Sequence, residues 1–311
     1  MRRGLVALSI CLLPAIGCFH AQYRTKPRVA DVEGDPIVQM APAEKLPSLS
    51  HPSFSLWKRH TDPPAPWEPV LGLAGRGYPV GLLDRYEVIN DGGERSPYVV
   101  ARCPLAGVTA AYDRRVGGRT LTFVNSGALW RDTLVLKDLE TGTLWTAATG
   151  RALYGPLAGE TLAPIPAVLA TMRAFAAAHP RAGYLDTGEL SETPLPLSLY
   201  DASPWQGVSG VRTGDARRDP KEKLYSVSAG TEAVAFSEED LEGLGCVETV
   251  LGGAPLALEW DPASDSPRAF RDGGTREIAV VPMYWFALDR HFETVRTLGS
   301  RADDSAGAVG R

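Results

Sequence analysis

From Glu68 onward the chain is built of short runs in which apolar and polar residues alternate. Val70-Leu71-Gly72-Leu73, Tyr98-Val99-Val100-Ala101, Thr120-Leu121-Thr122-Phe123 and Thr133-Leu134-Val135-Leu136 have the length and side-chain character of strands. Gly-Gly, Asp-Gly and Thr-Gly pairs separate them, as turns do. Apolar residues at helical spacing are rarer. Val168, Leu169, Met172, Phe175 and Ala176 share one helical face within 166–178, with Pro164 and Pro166 ahead and Pro180 behind. That pattern predicts a helix of about three turns, and a second helix is predicted over 283–292. Residues 19–45 are polar and Pro-bearing and read as a flexible tether. Residues 60–66 read as a stiff connector, and the small, polar stretch 299–311 reads as a disordered tail.

Two series of short motifs run in the same order. The first is Glu68-Pro-Val-Leu-Gly-Leu, Gly77-Tyr-Pro-Val, Gly92-Gly93, Pro97-Tyr-Val-Val and Ala111-Tyr-Asp. The second is Glu222-Lys-Leu-Tyr-Ser-Val, Ala233-Val-Ala-Phe, Gly252-Gly253, Pro255-Leu-Ala-Leu and Ala269-Phe-Arg. The offsets are 154 to 160 residues, and each series is later followed by a predicted helix ending in a histidine, His179 or His291. The expected fold is therefore β-rich α+β: two similar β-rich halves, about 68–180 and 222–298, each followed by a helix, in one compact unit.

Composition narrows the partners. The chain has 311 residues, with 32 Lys plus Arg against 37 Asp plus Glu, a formal net charge of −5. No basic excess is available to neutralise phosphates, which argues against nucleic acid. Hydrophobic content of 44% with 22% charged residues excludes wholesale disorder, and 32 Gly with 25 Pro favour turns and short strands over a helical bundle.

The amino terminus carries an address. Arg2 and Arg3 precede an uncharged stretch from Gly4 to Gly17 that is too short to span a bilayer. It ends in Ala15-Ile16-Gly17-Cys18, which resembles a bacterial lipobox. Residues 1–18 would then be a signal peptide, with Cys18 the lipidated residue; an ordinary signal cut after Ala21 is the alternative. The longest later apolar run, 279–288, is also too short for a span. The expectation is secretion across the cytoplasmic membrane and lipid anchoring, facing the periplasm or the cell surface. Cys103 and Cys246 would sit in an oxidising compartment, where a disulfide is permitted. Neither has a Cys-x-x-Cys partner or a histidine cluster, so each reads as a small buried hydrophobe.

Several segments together resemble domain-of-unknown-function family 3179. Its members carry W-H-E-x-V-N-D, Y-C-P-L-C-G-T, S-G-L-L-Y-N-S-D-L-V-M-Y-D and a later Pro-Lys-Glu. The equivalents are Arg85-Tyr86-Glu87-Val88-Ile89-Asn90-Asp91, Arg102-Cys103-Pro104-Leu105-Ala106-Gly107-Val108, Ser126 to Asp138, and Asp219-Pro220-Lys221-Glu222. Thr141-Gly142-Thr143-Leu144-Trp145 and a closing aromatic segment, Tyr284-Trp285-Phe286-Ala287, continue the likeness, which runs from about 51 to 298. The resemblance implies fold and location before function. The departures stand at chemically important places. The second Cys of the family is Ala106 here, the His of W-H-E is Tyr86, and the Asn and Ser of N-S-D are Arg131 and Asp132. A metal or redox site of the Cys-x-x-Cys kind needs two sulfurs close together, and one remains.

The candidate site residues are Tyr86, Glu87, Asn90, Asp91, Cys103, Ser126 and Trp145. Glu87, Asn90 and Asp91 precede Gly92-Gly93 and can be read as cleft carboxylates or as a turn whose Asn and Asp cap backbone amides. Asp138 to Gly142 reads as a hairpin turn. Asp261, Asp265 and Asp272 lack the Gly and final Glu of a calcium loop. His51, His60, His179 and His291 show no metal spacing, and His179 and His291 read as helix-end caps. No nucleophile elbow, P-loop or dinucleotide fingerprint occurs. No cofactor or metal is expected. The leading reading is a non-catalytic binding or structural lipoprotein, with the membrane as partner through its anchor and a protein or small molecule as ligand. The alternative is an enzyme or metal- or redox-handling protein with a site around Cys103, Tyr86, Glu87 and Asp91.

Overall fold

The computed structural model describes residues 23–43, 46–56, 65–186, 200–241 and 244–298. The chain begins with a hairpin, β1 (Arg28–Val32) and β2 (Asp35–Gln39), and two short strands, β3 (Ser48–Ser50) and β4 (Ser53–Leu56). A first unit follows: β5 (Pro69–Leu73), β6 (Arg76–Pro79), α1 (Val80–Tyr86), β7 (Val88–Asp91), β8 (Tyr98–Cys103) and β9 (Val108–Asp113). It is interrupted by β10 (Arg115–Val116), β11 (Arg119–Thr120), β12 (Phe123–Trp130), β13 (Thr133–Asp138), β14 (Leu144–Thr146) and β15 (Ala152–Tyr154). It closes with β16 (Val168–Thr171), α2 (Met172–Ala178) and β17 (Gly183–Asp186). The second unit comprises β18 (Lys223–Ala229), β19 (Glu232–Phe236), α3 (Glu238–Leu241), β20 (Cys246–Leu251), β21 (Ala254–Asp261), β22 (Ser266–Arg271), β23 (Arg276–Ile278), β24 (Val281–Tyr284), α4 (Trp285–His291) and β25 (Thr294–Thr297). The molecule is β-rich, its sheets are small, and these helices have seven residues or fewer.

The sheets repeat one another. Strand order is β16-β5-β6-β17 in the first unit, with β4 added outside β17, and β24-β18-β19-β25 in the second. In both, the central hairpin is antiparallel, the strand before the helix joins it antiparallel, and the strand after the helix joins it parallel. A meander follows each central hairpin: β7-β8-β9 in the first unit and β20-β21-β22-β23 in the second. The entry to each helix is held alike. The Met172 N–H donates to the Glu68 carbonyl at 2.8 Å and that of Arg173 to Pro66 at 2.9 Å; Trp285 donates to Glu222 at 3.0 Å and Phe286 to Pro220 at 2.9 Å. Contacts across the units are reciprocal, since β24 packs on β9 and β16 packs on β22.

The insertion makes the units unequal. Strands β12 to β15 form a sheet with the β1–β2 hairpin and help build a core that both units share. The second unit supplies Leu224, Met283, Trp285, Phe286, Leu288 and Phe292; the remainder includes Val99, Val108, Phe123, Leu134 and Trp145. Four residues of α4 are buried, whereas α2 buries Met172 and Phe175 in a smaller cluster of its own. Among the described residues no helix is long and apolar enough to cross a membrane.

Four expectations need correction. The helix predicted over 166–178 begins as strand, because Val168 to Thr171 pair with Gly72 to Pro69, and only Met172–Ala178 is helical. The helix predicted over 283–292 likewise begins as β24. Each helix therefore lies inside its unit, before the last strand, rather than after the half. Thr120 to Phe123 is not one strand, since β11 ends at Thr120 and β12 starts at Phe123. Residues 28–39, expected within the tether, form the β1–β2 hairpin, which buries Ile37 and Val38 against β12. Its Glu33-Gly34 turn has positive φ at both positions, the two-residue geometry that suits a twisted hairpin. The signal segment with Cys18, His60 and the expected tail lie outside the described residues.

Candidate functional site

The segments singled out in the sequence converge on the turn that joins β8 to β9. Cys103 ends β8, and Gly107 closes the turn by donating its N–H to the Pro104 carbonyl at 3.3 Å. Two carbonyls of this turn are tied to the rest of the molecule. The Leu105 carbonyl accepts the Tyr200 hydroxyl at 2.7 Å, and the Ala106 carbonyl accepts the Tyr284 N–H at 2.9 Å. Gly107 has φ +69°, and a Cβ there would press on the Tyr284 ring, so this position needs glycine on both counts. The Pro-Lys-Glu segment buttresses the turn. Its Lys221 ammonium donates to the Tyr200 carbonyl and sits 3.6 Å from the centre of the Tyr200 ring.

Cys103 lies beneath this turn with 2% of its surface exposed. Its sulfur accepts the Leu134 N–H at 3.3 Å, and burial, reinforced by the charge of Glu87, pushes the thiol up to about 12. Ala106, where the resembling family has its second cysteine, is fully buried in the same core. Cys246 is exposed, and both thiols are free. Glu87 accepts a hydrogen bond from Asn125 Nδ2 at 2.7 Å, and burial pushes its carboxyl up to about 7. Next to it Arg102 pairs with Asp84 at 2.8 Å.

Of the other candidates Trp145 shares the core of Cys103, and the rest lie elsewhere. Tyr86 packs on the cluster formed by Leu71, Tyr78, Leu83 and Val100, which is not the core that holds Cys103. Asp91 is buried with Arg76, Tyr78 and Tyr98 around it. Asn90 ties β7 to β12, accepting the Phe123 N–H at 2.8 Å and donating to the Phe123 carbonyl at 2.7 Å. Ser126 sits in a bulge of β12, where it donates to the Val135 carbonyl and accepts the Ala128 N–H at 3.1 Å. Gly127 beside it has φ +71°, a Cβ there would overlap the Ala41 carbonyl, and its own carbonyl accepts the Met40 N–H at 2.8 Å and the Ala41 N–H at 3.0 Å. Trp145 is fully buried and donates to Asp138 at 2.9 Å. Among the described residues no group of three His, Cys, Asp or Glu is placed to hold a metal ion.

A cavity of about 560 Å³ opens where the insertion meets the second unit. Its wall includes Trp130 and Arg131 from the end of β12 and its turn, Arg151, Ser228, His291 and, from the β1–β2 turn, Glu33. The Glu33 carboxylate bridges two guanidinium groups, Arg151 at 2.6 Å and Arg131 at 3.3 Å, and Arg131 also pairs with Asp35 at 2.7 Å. Both cations lie over the Trp130 ring, at 4.2 Å for Arg131 and 5.5 Å for Arg151. Asp132, fully buried behind them, pairs with Arg290 and accepts the N–H groups of Val208 at 2.7 Å and Ser209 at 2.8 Å. Sequence reasoning noted Arg131 and Asp132 only as departures from a pattern. The signal it passed over was that two charged residues had been introduced together.

A family model described as a protein of unknown function, DUF3179, matches residues 43–307. The chain belongs to this family. No curated protein and no solved structure matches it. The DUF3179 match spans both units, the insertion, the Cys103–Gly107 turn and every buttress of that turn.

Proposed function

We propose that this DUF3179 protein is a non-catalytic binding module, held at the extracytoplasmic face of a membrane by lipid on Cys18. The observation that carries the reading is the state of Cys103. A sulfur that accepts a backbone N–H, has a thiol pushed well above neutrality and lies under an alanine in place of a second cysteine offers neither a nucleophile nor a metal ligand. The residues around it hold the turn to α4, which supports a scaffold role. The equal strand orders, the matching backbone bonds at both helix entries and the reciprocal contacts β24–β9 and β16–β22 support two copies of one unit related by a pseudo-dyad. In that arrangement the first copy carries the insertion, and the insertion creates the cavity against the second.

The alternative, an enzyme, draws on Glu87, whose carboxyl titrates near neutrality as a general base would. The two readings part on the thiol and on metal content. Full-length mature protein with Cys18 replaced by Ser is treated with a small maleimide at neutral pH and assayed for bound transition metals. The expected outcome is labelling of Cys246 alone, Cys103 labelling only in denaturant, and no stoichiometric metal. Native Cys103 labelling faster than a free-cysteine peptide, or stoichiometric metal lost in Cys103→Ala, would put the enzyme reading ahead.

A further inference from the structure

We propose that the cavity between the insertion and the second unit is a binding site for a polyhydroxylated carboxylic acid of the size of a sugar acid. In the free protein Glu33 occupies the carboxylate position. The proposal deepens the binding-module reading and rests on it.

Four observations lead there. First, the cavity, at about 560 Å³, lies within the ~300–1,000 Å³ range of small-molecule sites. Second, the Arg131 and Arg151 guanidinium groups converge on one carboxylate, and that carboxylate comes from the tip of the β1–β2 hairpin. Paired guanidinium forks match carboxylate geometry, so Glu33 shows what the position accepts. Its side chain is about half exposed, and an exposed ion pair of this kind is weak enough for a ligand to displace.

Third, His291 brings an unused acceptor. Its Nδ1 is bonded to the Ala287 carbonyl at 2.9 Å, which makes Nδ1 the protonated nitrogen and leaves Nε2 with a bare lone pair. Nε2 is buried and has no hydrogen-bond partner. Burial first, then the nearby arginines, hold this imidazole neutral, with its pKa pulled down to about 3. A neutral ring acceptor in a cavity whose lining also includes Thr149, Thr161 and Ser228 suits a ligand rich in O–H groups. Fourth, Arg131 and Asp132 both hold positive φ, at 51° and 59°, in a two-residue turn without glycine. This is the two-residue hairpin geometry also seen at Glu33-Gly34, reached here by two residues that both carry a Cβ and held by surrounding contacts. Here the enforcing contacts are those of Asp132 with Arg290, Val208 and Ser209, and their product is the placement of Arg131 over Trp130.

The test is calorimetric titration of the mature chain with D-glucuronate, with D-glucose as the uncharged control. Wild type is expected to bind glucuronate and not glucose. Glu33→Gln removes the internal competitor and is expected to tighten binding about fivefold. Arg151→Gln is expected to weaken it about tenfold or more. His291→Phe, which keeps a ring against Trp130 but has no lone pair, is expected to weaken glucuronate and leave hexanoate, a carboxylate without hydroxyls, unchanged. Near-UV circular dichroism checks that each variant keeps its fold. No heat with Glu33→Gln overturns the site, as does equal binding by Arg151→Gln, and equal binding of glucose overturns the carboxylate assignment. Failure here leaves the thiol and metal results standing, so the two proposals fall separately.

Discussion

Glu87 is the residue whose environment departs furthest from what its place in the chain implies. It stands between α1 and β7, at a helix-to-strand junction where a solvated carboxylate is the ordinary expectation. Instead Asn125, 38 residues away, caps its carboxyl, and burial keeps it protonated up to about pH 7. The folded state thus holds a proton that an unfolded chain releases near its ordinary value of about 4.3. Between those values the folded state binds more protons, so this group's contribution to stability is full below the lower value and falls as pH rises through the upper one. His291 acts in the opposite direction, because its folded pKa is depressed to about 3: its contribution grows as pH rises toward the ordinary histidine value. The Glu87 effect is therefore isolated as the stability difference between wild type and Glu87→Gln. That difference is expected to shift against wild type by about 2–3 kcal/mol between pH 5 and pH 8, read from urea midpoints. The seven candidate residues were recognisable as unusual in sequence. Their dispersal over separate places was not, because it depends on partners such as Phe123 for Asn90 and Tyr78 for Asp91 that the local sequence does not indicate.

Helices α2 and α4 show why elements of this fold were partly legible. Val168, Leu169, Met172, Phe175 and Ala176 do lie at helical spacing, but Val168 to Thr171 have the partner strand β5 beside them, and pairing takes precedence. A seven-residue helix is marginal alone; α2 survives by burying Met172 and Phe175 and by its cap. Thr171 supplies that cap, its hydroxyl accepting the Ala174 N–H at 3.2 Å, whereas Tyr284 at the matching position of α4 makes no side-chain cap. Thr171→Ala is accordingly expected to cost about 1 kcal/mol, measured by urea denaturation, while Thr171→Ser is expected to be close to neutral. Strands were easier to read than helices because β5, β8 and β13 are short aliphatic runs, buried almost throughout, that pair with neighbours close in sequence. The β1–β2 hairpin escaped notice because only Ile37 and Val38 of it are buried, set among polar and Pro-bearing sequence.

At the scale of the molecule, the offset has a counterpart in strand pairing: Pro69 and Lys223, 223 − 69 = 154 residues apart, each pair with the residue that precedes a helix, Thr171 and Tyr284. What the offset could not reveal is that the units share a core. Leu224, Met283, Trp285, Phe286, Leu288, Phe292 and Val295 of the second unit are buried among residues of the first unit and its insertion. Removing the second unit would return their partners to water. At ~1.5–3 kcal/mol for each large side chain, seven such residues correspond to roughly 10–20 kcal/mol, which matches or exceeds the ~5–15 kcal/mol net stability of an ordinary domain. Neither unit can then stand alone, whatever the equality of their topologies. Residues 23–186 and 200–298, produced as separate chains, are expected to show weak near-UV circular dichroism and broad, non-cooperative urea transitions. Mixed in equal amounts, they are expected to associate one to one and recover a single sharp transition, because the reciprocal contacts of β24 with β9 and β16 with β22 form an interface as well as a core. A sharp transition from residues 23–186 alone would mean that the insertion and the first unit complete their core without Trp285 and its neighbours, and the cavity would then lie between two independent domains rather than within one.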